Sequence, residues 1–562
     1  MRRGPIHLVQ QPPAAIRRVA NGRIQLDFGK VAFGNLHVDW PPGHDSGSVF
    51  HFGEALAHGS VNSRPPGSVR YARVEATAAQ GCVVAPPPNA KNTGPAAVTT
   101  PAEWGTLMPF RWVEIEGWPE AKFDDLHQVR RQAAFGRDWN DDAAAFACSD
   151  PLLNDIWELC RYSIKATTFA GIYVDGDRER IAYEADAYLS QIGHQACDPD
   201  PAIARATFDY LLEHPTWPTE WALQMPFIAH ADWMYTKDRA WLAARYDALL
   251  PKLLPERLRA DGLLGTPPEL ARRDIVDWPK RERDGYVFTE ANTVVNAFYI
   301  EALRRLSVLA KAMDRQDEAE ALTARMQAGT EAFQSLFCDS ARGLMLDGID
   351  TDHASQHANI FSLAFDLVPR NSRKSALRSV VERGMACSIY VAQYLLEVLF
   401  RHGKAAAALQ LMTAEGDRSW RHMLESGTTI TWEAWNQRSK PNLDWTHAWG
   451  AAPANLLPRF VAGIRIARPG ASHIIVGPHT GKLSDCRARV PTMRGAVEVE
   501  WRSGHAFSLS LAMPRGMSAR LNLPATDHQQ VLLNGKHVAA ERRGKRLIVP
   551  GWHHGPLEVL VS

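Results

Sequence analysis

The feature that most constrains the fold is a hydrophobic period that changes twice along the chain. Between about residues 24 and 135, apolar and polar residues alternate in short runs interrupted by Gly, Pro and Asn, which is typical of β-strands. From Pro151 to about Ile464 apolar residues recur at helical spacing, and from Pro469 the alternation returns. A chain of 562 residues with this pattern is expected to form several domains, with helices between two β-rich regions.

The helical region has the pattern of a closed ring of helical hairpins. About twelve helical stretches fall between residues 151 and 464, and Asp150 and Pro151 supply an N-cap and a first helical residue. Several stretches, such as residues 298–313 and 388–400, are apolar on more than one face. Burial on two sides suits the inner ring of a helical barrel.

These patterns predict a multidomain α+β protein in which an (α/α)6 helical barrel is flanked by N-terminal and C-terminal β-sandwich domains. The first 23 residues are rich in Pro and Arg and are expected to form an arm. Asn534-Gly535 is a preferred hairpin dipeptide and supports the C-terminal β-domain. The expected boundaries are 1–23 for the arm, 24–140 for the N-terminal β-sandwich, 141–465 for the barrel and 466–562 for the C-terminal β-sandwich.

The charge balance and hydropathy exclude two classes of partner. The chain has 63 basic and 62 acidic residues without a long run of one sign, so neither nucleic acid nor an anionic membrane is expected as the main partner. No run of about eighteen apolar residues occurs, and the N-terminus lacks the apolar core of a signal peptide. Seven cysteines without a CxxC pair are typical of reduced thiols. We therefore expect a cytoplasmic protein, or a periplasmic one if the N-terminus has been trimmed.

The sequence carries no nucleotide-binding or metal-binding motif. Neither a GxGxxG pattern nor a P-loop occurs. His353 and His357 are four residues apart, as on a metal-binding helix, but no HExxH pattern or third ligand accompanies them. We therefore expect no cofactor and no metal.

The most unusual stretch is residues 173–186, where charges crowd between apolar and aromatic sequence. It contains Asp175, Asp177, Arg178, Glu179, Arg180, Glu184 and Asp186. A solvated helix face would space such charges at i, i+4. Charges in apolar surroundings are paired or functional, because burying them alone is costly. The stretch is therefore either a functional site or a buried ion-pair network.

A second acid lies in a tryptophan-rich loop, residues 425–450, where Glu433 lies between Trp432 and Trp435. The same loop carries Trp445, His447 and Trp449. Aromatic rings exclude water and stack on a pyranose, so a carboxylate among them suits a base that polarises one water. The alternative is a buried glutamate that caps the loop. Two carboxylates facing across a pocket are the minimum equipment for glycoside hydrolysis, and Glu179 is the candidate partner of Glu433.

Further candidates lie on the loops between helices. Trp221, at the start of a helix, is either a wall of the pocket or ordinary packing. Asp277 and Trp278 lie on the long loop before the helix at 290–312 and are candidates for substrate contact. His447 either binds a hydroxyl group, orients Glu433, or is a structural histidine.

Three motifs carry a family resemblance. They are FRWVEIEG at 110–117, DRERIAYEAD at 177–186, and TTITWEAW at 428–435 followed by THAWG at 446–450. With them the chain resembles the α-L-rhamnosidases of glycoside hydrolase family 78, a group of six-hairpin glycosidases, over nearly its whole length. The resemblance implies an inverting hydrolase with an (α/α)6 barrel, with Glu179 as general acid and Glu433 as general base.

The resemblance also implies sugar ligands, with departures typical of a divergent branch. Asp186 is expected to hold sugar hydroxyl groups. Asp175 lies one residue closer to the acid than usual, and Gly-Asp replaces the family's Cys-Pro. Tyr183 and Ala185 replace a tryptophan and a glycine. The residues expected to bind substrate are Asp175, Arg178, Asp186, Tyr183, Trp221, Asp277, Trp278, Trp432, Trp435 and His447.

Glu179 raises a chemical question as a general acid. A general acid must hold a proton, whereas Arg178 and Arg180 beside it favour the ionised form. The role is open to Glu179 if these guanidiniums point to other acids, or if Asp175, Asp186 and burial raise its pKa.

The resemblance favours an exo-acting inverting hydrolase that releases terminal α-L-rhamnose from a glycoside or oligosaccharide. One alternative is a lyase like polysaccharide lyase family 27, which acts on rhamnosyl-glucuronate with a similar architecture; Tyr183 and the two arginines are candidates for its chemistry. Another is a non-catalytic carbohydrate-binding protein on the same scaffold. A carbohydrate is the expected partner in each case, and the sequence does not predict an oligomeric state.

Overall fold

The N-terminal region forms an eight-stranded antiparallel sheet around the long strand Ile24–Val38, which pairs with Met108–Glu116 and with Val129–Gly136. The structure, a computed structural model, describes residues 3–19, 22–44, 46–119, 123, 126–525 and 530–562. The strands of this region are Ile6–Gln11, Ala15–Arg18, Ile24–Val38, Ser48–Gly53, Tyr71–Ala76, Val83–Val84, Met108–Glu116 and Val129–Gly136, with a small hairpin of Leu56–Ala57 and Ser60–Val61. Phe50, Phe52 and Phe110 are fully buried in its core.

The expectation of an arm at residues 1–23 is wrong for the described part of that segment. Ile6–Gln11 pairs with Val129–Gly136, and Ala15–Arg18 pairs with the start of Ile24–Val38. Pro12 and Pro13 lie between these two strands, where no ladder hydrogen bond is needed. The Pro-rich composition therefore marks a turn, and the sheet begins near residue 6.

The helical region is a closed ring of six hairpins, which confirms the predicted fold class. The inner helices contact one another in ring order: Glu184–Cys197, Met225–Thr236, Thr293–Ala312, Gln356–Ala364, Ile389–Arg401 and Ala452–Leu456. The outer helices are Pro151–Ala166, Ala202–Glu213, Arg239–Ala243, Gln316–Phe337, Arg373–Arg383 and Ala405–Met412, and Thr219–Ala222 and Trp420–Glu425 lie in loops. Within the described ranges, no helix combines the length and apolar character needed to cross a membrane.

Aromatic side chains fill the interior of the ring. Phe298, Phe361 and Tyr394 come from three inner helices, with centroid distances of 4.9 Å between Phe298 and Phe361 and 5.0 Å between Phe361 and Tyr394. Phe227, from a fourth inner helix, lies 5.7 Å from Phe298. The barrel is therefore a packed core, and a ligand can approach it only from a rim.

The C-terminal region contains a seven-stranded and a five-stranded sheet. The strands of the first are Ala145–Cys148, Asp485–Val490, Val497–Ser503, Phe507–Ala512, Val531–Leu533, Lys536–Val538 and Leu557–Val561. Those of the second are Ile464–Arg468, His473–Val476, Ser518–Pro524, Glu541–Arg543 and Arg546–Ile548.

One strand of the seven-stranded C-terminal sheet precedes the barrel in the sequence. Ala145–Cys148 pairs antiparallel with Asp485–Val490. Residues 145–148 fall in the segment 141–465 that the sequence assigns to the barrel, but they form a strand of a C-terminal sheet. A four-residue strand is too short for its alternation to be distinguished from a loop.

Candidate active site

The two loops that carry the candidate acids, residues 173–183 and 425–447, lie side by side at one rim of the barrel. The backbone N–H of Asp177 donates to Thr446 Oγ1 at 3.1 Å. Within the second loop, the N–H of Glu433 donates to the carbonyl of Asp444 at 3.2 Å. Two segments far apart in sequence therefore form one wall.

Gly176 permits this close approach. Its φ is 103°, and a Cβ built on it would lie 2.7 Å from both Asp444 Oδ2 and the carbonyl oxygen of Thr446. Both the backbone conformation and the space exclude a side chain here. The glycine of the Gly-Asp that departs from the family pattern at this point is thus required by the contact between the loops.

Arg178 joins the two candidate catalytic carboxylates. Its Nη1 donates to Glu179 Oε1 and its Nη2 to Glu433 Oε1, each at 2.7 Å. Because the two nitrogens of a guanidinium lie in one rigid fork, the two Oε1 atoms are at most about 8 Å apart. Glu179 and Glu433 therefore belong to one pocket.

The second arginine beside Glu179 points elsewhere. Arg180 has a left-handed φ of 56°, and its Nη2 donates to Asp177 Oδ1 at 2.5 Å and to the carbonyl of Leu107 at 2.6 Å. Arg70, from the N-terminal sheet region, binds the other oxygen of Asp177 at 2.5 Å. Among the described residues Glu179 thus has one guanidinium partner, and its side chain is 33% exposed. The stretch 173–186 accordingly contains a buried ion-pair network beside a pocket.

Glu433 is almost completely buried, with 1% of its surface exposed. Its Oε1 receives Arg178 and, at 3.2 Å, Lys440 Nζ, whereas its Oε2 has no hydrogen-bond partner among the described residues. Burial, followed by the nearby Asp444 carboxylate, raises the pKa of Glu433 above its ordinary value. A basic carboxylate oxygen is therefore free to accept a proton.

His447 and Asp186 form a buried charge pair near Glu433. Asp186 lies in the first turn of the helix Glu184–Cys197, and His447 Nε2 lies 2.6 Å from its Oδ1. Burial opposes the charge on the imidazole, but the carboxylates of Asp186 and Asp444 raise the pKa of His447 to about 10. Asp186 Oδ2 is buried and has no partner among the described residues, so it can accept a bond from a ligand hydroxyl.

Asp175 completes the group of acids. Its Oδ1 accepts the N–H of Ile181 at 2.9 Å, and its Oδ2 lies 3.8 Å from Arg178 Nη2. Burial raises the pKa of Asp175 well above its ordinary range. A carboxyl held in this state can donate as well as accept a hydrogen bond.

Aromatic pairs lie next to both candidate acids. Trp432 stacks on Trp445 with centroids 4.9 Å apart and planes at 5°. Tyr183 meets Trp221 edge-to-face at 5.3 Å, and its hydroxyl lies 3.4 Å from Glu179 Oε2. Lys440, which contacts Glu433, also contacts Trp278, and its Nζ lies 4.8 Å from the indole centroid.

The structure contradicts the expectation that Asp277 and Trp435 contact substrate. Asp277 is fully buried, and its carboxylate accepts bonds from His357 Nε2 at 2.6 Å, the N–H and hydroxyl of Ser388, and the N–H of Trp278. Its acceptor sites are occupied, so it anchors its loop to an inner helix. Trp435 is also fully buried and donates to the carbonyl of Cys387 at 2.8 Å, so it belongs to the core.

Lys440 and Asp444 are part of the site but were not among the sequence candidates. Lys440 lies seven residues after Glu433 in what reads as a solvated turn, yet it is buried against that carboxylate. Asp444 Oδ2 accepts the N–H of Arg178 at 3.3 Å. The signal available in the sequence was their position between Glu433 and the THAWG motif. This position does not indicate where the two side chains point.

The described residues contain no group of three or more His, Cys, Asp or Glu side chains arranged to hold a metal ion. His357 binds Asp277, and His353 Nδ1 binds Asp347 Oδ2 at 2.5 Å. The two histidines thus have separate carboxylate partners.

Comparison with known proteins decides the family. The model of the bacterial α-L-rhamnosidase six-hairpin glycosidase domain matches residues 141–461, more than half of the chain. This chain belongs to that family. The model of the bacterial α-L-rhamnosidase C-terminal domain matches residues 463–538, which confirms the resemblance drawn from the motifs.

Similar proteins include an α-L-rhamnosidase of Alteromonas sp. (strain LOR), 22% identical over 91% of this chain and 57% of that protein. The structure of α-L-rhamnosidase from Dictyoglumus thermophilum covers 100% of this chain and 64% of that one, with a TM-score of 0.81 and 19% identity. The structure of the Streptomyces avermitilis α-L-rhamnosidase complexed with L-rhamnose covers 100% of this chain and 54% of that one, with a TM-score of 0.77 and 18% identity. The chain thus spans less than two thirds of the length of each of these three proteins.

The charge on His447 should make stability depend on pH. Its pKa of about 10 in the folded state exceeds its ordinary value of 6.5, so its contribution is complete below pH 6.5 and is lost as pH rises toward 10. When the free energy of unfolding is measured with urea from pH 6 to 10, we expect it to decline less steeply with pH in His447→Gln than in the wild type. His505→Gln, on an exposed bend, is the control and should keep the wild-type slope. Equal slopes for wild type and His447→Gln would show that this pair is not charged.

Proposed function

We propose that this protein is an exo-acting, inverting glycoside hydrolase that releases terminal α-L-rhamnose. The observation that carries the proposal is the bridge from Arg178 to both Glu179 and Glu433, which joins a partly exposed and a buried carboxylate in one pocket. Family membership supports the same reaction class. Because the interior of the ring is packed, a sugar enters from one rim.

In the proposed mechanism Glu179 is the general acid. Its partly exposed carboxyl meets the glycosidic oxygen, donates a proton as the bond to the anomeric carbon breaks, and is reprotonated from solvent. Arg180 is held by Asp177, so among the described residues the guanidinium that contacts Glu179 is that of Arg178. The carboxylate of Glu433 shares Arg178, and this second partner reduces the guanidinium's hold on Glu179.

Glu433 is the proposed general base. Its free Oε2 takes a proton from a water that attacks the anomeric carbon from the face opposite the leaving group, which inverts the configuration. Arg178 and Lys440 hold its Oε1 and fix the direction of Oε2. The raised pKa makes it a stronger base than an exposed glutamate.

A 6-deoxy sugar suits the remaining walls. Asp186 Oδ2 and Asp175 offer buried polar atoms to ring hydroxyl groups. The edge-to-face pair of Tyr183 and Trp221 offers an apolar surface to a C6 methyl group. The structure of a Streptomyces avermitilis relative complexed with L-rhamnose supports this choice of sugar.

The lyase alternative is less well supported. A lyase needs a proton abstractor, and burial raises the pKa of Tyr183 above its ordinary value, which disfavours the phenolate. Arg178, the candidate for binding a uronate carboxylate, already holds two glutamates.

Product analysis tests the proposal. The protein is incubated with an aryl α-L-rhamnoside and, separately, with a rhamnosyl-glucuronate oligosaccharide, and the first product is followed by anomer-resolved NMR. We expect β-L-rhamnose to appear first and then to mutarotate. An unsaturated uronate absorbing in the ultraviolet would replace the hydrolase by a lyase. Initial release of α-L-rhamnose would overturn inversion, and no reaction with either substrate would overturn this specificity.

A further inference from the structure

A second large cavity lies at the opposite end of the barrel, against the C-terminal sheets. Its volume is about 1000 Å³. The inner helix Ile389–Arg401 connects the two places, since Tyr390 stacks on Trp449 of the active-site loop whereas Arg401 lines the cavity. At 1.5 Å per residue, these two helix positions are about 16 Å apart. The cavity is therefore separate from the candidate active site.

The cavity has a strongly positive lining. Its basic residues are Arg401, Lys404, Arg459, Arg465, Lys545 and Arg546, and Glu397 is the acidic residue among the described ones that line it. Glu397 pairs with Arg459 at 3.0 Å, and Arg401 pairs with Asp366 at 2.6 Å. Within the described part of the chain, the other four basic side chains have no carboxylate partner.

Two of these guanidiniums are held close together. The point where a Cβ would lie on Gly477 is 3.0 Å from Nη2 of both Arg465 and Arg546, so the two nitrogens are no more than about 6 Å apart. Arg546 is fixed by Asn522 Oδ1 at 2.8 Å and by the carbonyl of Pro478 at 2.6 Å. The side chain of Arg465 makes no hydrogen bond to any described residue, and its guanidinium lies over the ring of Phe460, 5.5 Å from the centroid.

The proximity of these charges is unfavourable without an anion. Burial, and then the neighbouring Arg459, lowers the pKa of Arg465 to about 10, and burial, and then Arg465, lowers that of Arg546 to about 9. Burial and the two arginines also lower the pKa of His479 to about 3, so this lining imidazole is neutral. His402 Nε2 is buried without a partner among the described residues and adds a further polar atom.

We propose that this cavity binds a phosphate-bearing ligand, with the phosphate between Arg465 and Arg546. Guanidiniums match the geometry of phosphate oxygens, and two of them balance a dianion. The lysines at the exposed rim, Lys404 and Lys545, add long-range attraction. The volume also admits a body of sugar size beside the phosphate.

Calorimetric titration with a hexose 6-phosphate and with inorganic phosphate tests the proposal, at constant ionic strength and with unphosphorylated hexose as a control. We expect saturable binding of the phosphates and none of the hexose. Tighter binding of the hexose 6-phosphate would assign an organic ligand, whereas tighter binding of inorganic phosphate, or equal binding of the two, would assign the free ion. The absence of saturable binding of either would overturn the site.

Two variants place the binding in this cavity. Arg465→Gln removes a charge that no described protein group uses and should raise Kd about tenfold or more. Gly477→Ala keeps every charge but puts a methyl group 3.0 Å from both Nη2 atoms, so it should weaken binding as well. Arg502→Gln, at an exposed position on the other sheet, is the charge-matched control and should bind normally. Thermal unfolding checks that each variant is folded. Unchanged binding by both cavity variants, or an equal loss in the control, would contradict the proposal.

Discussion

Glu433→Gln should reduce kcat/KM by a factor on the order of 10²–10⁴ for natural and activated rhamnosides alike. The amide keeps the shape of the side chain but cannot take a proton from water, and both substrates need that water. Glu425→Gln, on an exposed glutamate eight residues earlier in the chain, is the matched control and should keep wild-type activity. The measurement is initial rate with an aryl rhamnoside bearing a good leaving group and with a rhamnosyl disaccharide.

A smaller residue at position 433 gives a sharper test of the base. Glu433→Ala leaves space beside Arg178 and Lys440, which attract an anion. Azide should enter this space and attack the activated substrate, giving a β-rhamnosyl azide without any proton transfer. An azide product of retained configuration, or rescue that occurs equally in the wild type, would contradict attack from the Glu433 side.

Glu179→Gln should separate the two substrates. Its effect on the disaccharide should also be on the order of 10²–10⁴, because a poor leaving group cannot depart without a proton. An activated aryl group departs as an anion, so its hydrolysis should be largely spared. The measurement is the ratio of kcat/KM for the two substrates in the variant and the wild type.

Two outcomes would change the assignment. If Glu433→Gln spares the activated substrate and Glu179→Gln does not, the acid and the base are exchanged. If both variants keep near-native turnover of the disaccharide, the acid–base mechanism proposed for this pocket is wrong. A check of folding by circular dichroism is needed for Glu433→Gln, because Arg178 and Lys440 lose a charged partner.

The parts of the molecule that repeat a simple pattern were predictable from sequence. Inner helices such as Ile389–Arg401 are buried on several sides, and this shows as apolar residues on more than one face. The crowding around Glu179 and the tryptophans around Glu433 indicated the two loops, because such residue combinations are costly unless they are paired or functional.

The direction in which a side chain points was not predictable. Asp277 and Glu433 are both acids beside a tryptophan on long loops. The carboxylate of Asp277 is occupied by hydrogen bonds, including one from Ser388 at the start of an inner helix, whereas Glu433 Oε2 has no hydrogen-bond partner among the described residues. Trp432 and Trp435 are three residues apart, yet Trp432 stacks on Trp445 whereas Trp435 is fully buried and donates to the carbonyl of Cys387. The contacts that decide the roles of the two acids, Asp277 with Ser388 and Glu433 with Arg178, join residues more than 100 positions apart, which no local pattern contains.

The pairing of Ala145–Cys148 with Asp485–Val490 has a consequence for how the chain is made. Synthesis proceeds from the N-terminus, so this strand leaves the ribosome before the barrel and stays without its partner until the whole barrel has followed. An unpaired strand edge is a template for association with other chains, and its length of four residues limits that risk. For the same reason, cutting the gene between the barrel and the C-terminal sheets would separate two strands of one sheet, so neither fragment should behave as an independent folding unit.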